Sequence, residues 1–181
     1  TPVTVSGIST AASIVTGHRH TCSVLSNGSV KCWGSGDYGQ LGNGATSDQS
    51  TPVSVSGVST ATQVAVGAYH SCARLSDSTI KCWGMSENRI DSGNNKTTPL
   101  QISGISNVTQ VVSGNEHICA RLSDSTIKCW GYGGIGQLGN GATTDQSTPV
   151  TVSGISNATQ ISAGNHFSCA RLSDSTVKCW G

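Results

Sequence analysis

At 181 residues the chain has the length of one ordinary domain, but 35% hydrophobic residues, a single Phe and a single Met exclude an ordinary large core. Leu and Glu are scarce while Val, Ile, Thr and Ser are common, which argues against helices and predicts an all-β fold. A formal net charge of +1 leaves no basic footprint for nucleic acid or an anionic membrane, and no apolar run reaches transmembrane length.

In chain order, each unit opens with Thr-Pro and a β-branched stretch: Thr1 to Val5, Thr51 to Val55, Thr98 to Ile102 and Thr148 to Val152. Proline cannot donate to a ladder, so it belongs at the start of a strand or on an edge. A Ser-Gly turn follows at Gly7, Gly57, Gly104 and Gly154. A second strand, such as Gln63 to Val66 or Gln110 to Ser113, ends at Gly17, Gly67, Gly114 or Gly164.

Two further strands carry the cysteines. Cys22 and Cys32, Cys72 and Cys82, Cys119 and Cys129, and Cys169 and Cys179 are each ten residues apart, with Trp-Gly after the second. The copies recur at intervals of 50, 47 and 50 residues, the mark of a propeller, solenoid or array. Disorder does not need Cys and Trp at regular spacing. The first hairpin centres on Asn27, which sets Cys22 opposite Cys32, so a cross-strand disulfide within each hairpin is the simplest pairing. Zinc is the competing reading, but no Cys-x(2–4)-Cys knuckle occurs. Paired cysteines imply an oxidising compartment, hence an extracellular or cell-surface protein.

Four short strands per unit is the strand count of one propeller blade. The expected units are 1–50, 51–97, 98–147 and a truncated fourth at 148–181. The linkers after Trp-Gly are near copies in the first and third units, reading Gly39-Gln-Leu-Gly-Asn-Gly44 and Gly136-Gln-Leu-Gly-Asn-Gly141. The second departs over Met85 to Asn95 and is three residues shorter.

Gly-x-x-His-x-Cys-x-x-Leu, then Val-Lys-Cys-Trp-Gly, then Gly-Gln-Leu-Gly-Asn-Gly resembles the regulator of chromosome condensation repeat, in the cysteine-bearing form of secreted bacterial proteins. The resemblance covers the whole chain and implies a β-propeller, which in that family usually closes with seven blades. Three full repeats and a truncated fourth are therefore expected to be part of a larger propeller or repeat array, with assembly of several copies as the second choice. The chain opens at Thr1 without Met and is expected to be a mature or excised portion of something longer.

No nucleophile–base–orienter set, P-loop or dinucleotide fingerprint can be assembled, so neither an enzyme nor a cofactor is expected. His20, His70 and His117, replaced by Phe167 in the fourth unit, sit two residues before the first Cys. Loss of the fourth favours a structural role, a half-buried ring bonded to a neighbouring backbone, over metal binding or catalysis. Trp33, Trp83, Trp130 and Trp180 recur beside the disulfide and are expected to pack between blades rather than to stack sugars. The recurring Lys31, Lys81, Lys128 and Lys178 read as a solvated strand position. Asn27, Asn95, Asn107 and Asn157 lie in Asn-x-Ser/Thr sequons, a number that ten Asn among so many Ser and Thr reach by chance.

What varies between copies is more informative. After the second-strand glycine come His18-Arg19, Ala68-Tyr69, Asn115-Glu116 and Asn165-His166. Equivalent loops of a propeller emerge on one face, which would display Arg19, Tyr69, Glu116 and His166 together. The linkers add Asp37 and Tyr38, Glu87 and Arg89, Tyr132 and Ile135. Exposed Tyr and Arg are residue types that anchor protein interfaces. The expected function is a non-enzymatic extracellular repeat domain that binds a protein or a surface component through this face. The alternatives are a self-assembling fibre or surface-layer subunit, and an inhibitor of a secreted enzyme, which the resemblance brings with it.

Overall fold

The computed structural model describes residues 1–86, 90 and 93–181, and among them every regular element is a β-strand. The first sheet holds β1 (Ala11–Thr16), β2 (His20–Leu25), β3 (Val30–Gly34) and β4 (Gln49–Ser54). The second holds β5 (Ala61–Val66), β6 (His70–Leu75), β7 (Ile80–Gly84) and β8 (Lys96–Gln101). The third holds β9 (Val108–Ser113), β10 (His117–Leu122), β11 (Ile127–Gly131) and β12 (Gln146–Thr151). The fourth has three strands, β13 (Ala158–Ala163), β14 (Ser168–Leu172) and β15 (Val177–Trp180). All pairings are antiparallel, and strands follow chain order across each sheet. The first strands β1, β5, β9 and β13 contact one another in series, so the sheets stand as propeller blades around an inner edge.

Sequence unit and blade are out of phase by one strand. The Thr-Pro strand that opens a unit pairs with the preceding unit's second cysteine strand: Val53 lies opposite Cys32 and Val150 opposite Cys129. The expectation that the Thr-Pro strand shares a blade with the strands after it is thereby corrected. Its Ser-Gly turn is no hairpin; it carries the chain from the outer edge of one blade to the inner edge of the next. Val55 and Val58, which flank that turn, are buried between the two sheets. Pro52 sits on the outer edge strand, within a register shift between Cys32 and Gly34, where its missing N–H costs no ladder bond. Thr1 to Val5 forms no strand, and Val3 is 84% exposed.

The cysteines face each other as the hairpin spacing predicts. Cys22–Cys32, Cys72–Cys82, Cys119–Cys129 and Cys169–Cys179 are disulfides with Cα atoms 4.0–4.1 Å apart, and no cysteine is free. Each closes a short loop and stabilises by roughly 2–3 kcal/mol on a chain-entropy estimate. The turn between the strands needs one left-handed residue. Gly28 supplies it in the first blade (φ 77°), whereas Ser78, Ser125 and Ser175 adopt φ of 65–67° in the others.

The core lies between blades rather than within one. The disulfide and Val24, Val30 and Leu41 of the first blade pack against Val55, Val58, Ala61 and Val64 of the second. The same contact joins the second blade to the third and the third to the fourth. Each recurring lysine donates its Nζ to a turn carbonyl, as Lys31 does to Gly7 and Lys81 to Gly57, and so ties the second cysteine strand to the turn leading into its own blade.

Candidate partner-binding face

Each inner strand ends in a four-residue turn, closed by a backbone bond from its glycine N–H to the carbonyl of the fourth residue: Gly17 to His20, Gly67 to His70, Gly114 to His117 and Gly164 to Phe167, all at 2.9 Å. Neighbouring turns are bonded across blades. Ala68 N–H donates to the Asn115 carbonyl (2.9 Å), and Asn115 N–H to the Asn165 carbonyl (3.0 Å). The four turns therefore meet around one shallow cavity of about 390 Å³, lined by Gly17, His18, Gly67, Gly114, Asn115 and Asn165 among others. Only glycine fits at Gly114: a Cβ there would lie 2.6 Å from the Gly164 carbonyl and nearer still to the His117 ring.

That ring is held from the next blade. Nε2 of His20 is bonded to Ser71 Oγ at 2.7 Å, and Nε2 of His117 to Ser168 Oγ at 2.8 Å. Ser71 donates its own hydroxyl proton to the Gln40 carbonyl, so His20 carries its proton on Nε2. Ile118 stands where Ser71 and Ser168 stand in their blades, and His70 bonds instead to Ser113 Oγ at 2.5 Å. Burial lowers the pKa of His20 and of His117 to about 4, with His166 adding a smaller effect on His117. The expected half-buried ring on a backbone group is thus corrected: these rings are fully buried and bond to hydroxyls. Neutral at pH 7, His20 and His117 act as struts.

The Gly-Gln-Leu-Gly linkers lie over the same end of the blades. Gln40 is fully buried; its Oε1 accepts from Tyr38 N–H (2.8 Å), and its backbone carbonyl accepts from Trp83 Nε1 (2.8 Å). Gln137, Ile135 and Trp180 repeat the arrangement. Leu41 and Leu138 are buried beside them, and Ile90 fills that place in the divergent second linker. Trp130 faces that linker, and its Nε1 is buried with no hydrogen-bond partner among the described residues. Trp83, Trp130 and Trp180 pack between blades, with Trp83 and Trp130 fully buried, while Trp33 of the first blade is half-buried.

The variable residues stand on this framework. Arg19 and His166 are exposed, while Tyr69 and Glu116 are half-buried on neighbouring turns. Tyr38 reaches Tyr69 across the blade boundary, with ring centroids 5.0 Å apart and planes at 59°. The carbonyls of Arg19, Tyr69 and Glu116 accept from Ser35, Met85 and Tyr132 N–H, which fixes turns and linkers to one end of the molecule. Tyr132 is half-buried and Ile135 is 51% exposed. Arg89 and Glu87 lie outside the described residues.

Sequence reasoning missed two sets of residues. Gln63 donates to the Val111 carbonyl and accepts from Val111 N–H, and Gln110 does the same with Ile161, stitching one inner strand to the next. Ser71 and Ser168 are the second set. Recurrence of Gln at positions 63, 110 and 160 was the available signal. Among the described residues no three His, Cys, Asp or Glu side chains group as a metal site.

The profile of the regulator of chromosome condensation (RCC1) repeat matches residues 27–74 and 129–171, and a second profile of that repeat matches 11–40, 61–89 and 108–137. No curated protein sequence matches. Among solved structures, human WBSCR16 superposes with a TM-score of 0.84 at 22% identity, covering 94% of this chain and 47% of that one. A chain in the crystal structure of Kap60 bound to yeast RCC1 (Prp20) superposes at 0.79 with 25% identity, covering 93% and 43%. Prp20p of Saccharomyces cerevisiae, described with its binding to Gsp1p and histones, superposes at 0.77 with 17% identity, covering 96% and 44%. The chain spans less than half the length of each of these structures.

Proposed function

The chain belongs to the regulator of chromosome condensation (RCC1) repeat family, and from that premise we propose that it is a non-enzymatic, extracellular domain that binds a protein partner. The binding surface is the end of the blades where the inner turns and the linkers meet. One observation carries this reading: residues that differ between copies converge there, on a framework whose repeated residues are buried and hydrogen-bonded. Arg19, His166, Ile135 and the Tyr38–Tyr69 pair offer a charged and aromatic surface. Rigid aromatic rings with Arg beside them are what hot spots of protein interfaces use. Two of the matched structures are described with protein partners, Kap60 for yeast RCC1 and Gsp1p and histones for Prp20p. Four disulfides and no free cysteine support an oxidising compartment outside the cytosol. In this reading 1–50, 51–97, 98–147 and 148–181 are the units that duplicated, and their turns are the parts free to diverge.

The test is capture of secreted proteins by the immobilised chain, compared with an Arg19→Ala/Tyr38→Ala/Tyr69→Ala variant and with Asp77→Ala at a hairpin tip. A partner held by the native chain and the tip variant, and lost by the triple variant, supports the face. Equal capture by all three, or turnover of a substrate by the purified chain, overturns the reading.

A further inference from the structure

The cysteine hairpins turn at the end of the blades away from the partner-binding face. There the third blade holds a groove of about 480 Å³, within the range of small-ligand sites. It is built by the turn that enters this blade, by the tip of its cysteine hairpin and by Thr151 of its outer strand β12. Ile105 and Leu122 give it an apolar lining, and Asn107, Asp124, Lys128 and Thr151 give it a polar one. The polar groups have bonding capacity to spare. Lys128 donates one Nζ proton to the Gly104 carbonyl at 3.2 Å, which leaves two N–H donors. Asp124 accepts the Thr126 N–H and hydroxyl on Oδ1, at 3.0 and 2.7 Å, which leaves Oδ2. The bonds from Thr126 and, more weakly, the nearby Lys128 charge hold the Asp124 carboxyl below its usual range, so it is ionised at neutral pH.

Neighbouring blades keep the carboxylate and the lysine but not the rest. In the second blade Thr60 and Gln101 stand where the third has Asn107 and Thr151. In the fourth, Asn157 gives its amide to Ser173 Oγ at 3.3 Å. Asn107 is exposed and makes no such bond among the described residues. Of the four equivalent residues Thr10, Thr60, Asn107 and Asn157, it alone has a left-handed backbone, with φ of 56°. A left-handed residue other than glycine is held there by its surroundings, and such residues cluster at ligand sites.

We propose that this groove binds a neutral hexopyranose unit, a terminal sugar of a glycan, through Asn107, Asp124, Lys128 and Thr151. A ring with adjacent hydroxyls matches the donor set. One hydroxyl donates to Asp124 Oδ2 while its neighbour accepts from Lys128 Nζ, and the Asn107 amide and Thr151 hydroxyl serve in either sense. The C–H face of the ring covers Ile105 and Leu122, as small-ligand sites combine an apolar lining with a few placed polar groups. The site is separate from the partner-binding face, so a sugar and a protein partner are held at opposite ends of one blade series.

The experiment is a nitrogen–proton correlation NMR titration of the chain with its disulfides intact. The probes are the methyl glycosides of glucose, mannose and galactose, with glycine as a zwitterionic control. At least one glycoside is expected to shift the amides of Asn107, Asp124 and Lys128 saturably, with a Kd in the millimolar range. Asp124→Asn keeps the turn, as Asn27 does with Ser29 in the first blade, and removes the charge. It and Lys128→Met are each expected to weaken binding about tenfold or more. Asp77→Asn, at the same place in the second blade, is expected to leave binding unchanged. Native-like dispersion of each variant's spectrum shows that it is folded. No saturable shift with any glycoside, shifts centred on another blade, native affinity in either groove variant, or equal shifts with glycine overturns the proposal.

Discussion

The indole Nε1 of Trp83 donates to the backbone carbonyl of Gln40 at 2.8 Å, joining the second cysteine strand of one blade to the linker that leaves the blade before it. The bond is possible because Gly42 lets the linker backbone approach the indole: a Cβ there would come within 2.7 Å of Nε1. Trp180 makes the same bond to Gln137, and Trp130, facing a linker without Gln-Leu-Gly, does not. The family's linker motif is therefore a packing device, a lock between blades.

A difference between two tryptophans follows. Trp83→Phe loses a buried hydrogen bond as well as ring area, and is expected to lower stability by ~2 kcal/mol. Trp130→Phe removes a donor with no partner among the described residues, and is expected to cost clearly less. Urea midpoints of the two variants against the native chain measure this. Equal losses would show that the bond to Gln40 contributes little.

Stability is expected to fall as pH drops from the ordinary histidine range toward about 4. The folded-state pKa values of His20 and His117 are lowered to about 4 from 6.5 by burial, so in that window the unfolded chain takes up protons that the native chain does not. The loss is roughly 3 kcal/mol per histidine at its full extent. A His20→Gln/His117→Gln variant keeps a polar group toward Ser71 and Ser168 without the titration. Its urea midpoint should change less between about pH 7.5 and about pH 5 than the native chain's. Asp77, Asp124 and Asp174 act lower on the scale. Hydrogen bonds from Thr79, Thr126 and Thr176 hold their carboxyls below the usual range, so their contribution is present above it and lost on further acidification.

Two backbone positions separate space from conformation. Gly114→Ala would drive a methyl group into the His117 ring and the Gly164 carbonyl, and is expected to destabilise by ~2 kcal/mol or more. Ser78→Gly relieves a left-handed φ of 65° at the place where the first blade already has Gly28, and is expected to raise stability by ~0.5–1 kcal/mol. Thermal melts of the two variants should move in opposite directions.

The disulfides should differ in reactivity, although their loops are alike. Cys22, Cys32, Cys72, Cys82, Cys119 and Cys129 are at most 1% exposed, whereas Cys179 stands open. In dilute solution, under mild reductant, Cys169–Cys179 is expected to open first, read by alkylation and peptide mass mapping. Simultaneous reduction of all four would show that blade packing does not shield the other three.

Much of this was legible in the chain. A separation of ten from cysteine to cysteine, with a turn at Asn27 or Asp77 midway, places the sulfurs opposite each other by strand geometry alone. Alternation of Val and Ile with small polar residues sets the strands, and recurrence of the whole pattern sets the blades. These are local relationships, fixed by covalent spacing and backbone geometry within some fifteen residues.

What sequence could not decide is which sheet a strand joins and what a buried polar group meets. The Thr-Pro strand pairs backward with Cys32 rather than forward because the open ladder lies behind it and Val55 and Val58 bury ahead of it. Whether His70 bonds Ser71's counterpart or Ser113 depends on Ile118, 48 residues away and one blade over. The chain by itself determined the strands, the hairpins and their disulfides. The tertiary structure alone decided the phase of the blades, the histidine struts and the convergence of four turns on one cavity, because those rest on contacts between sheets that local spacing does not encode.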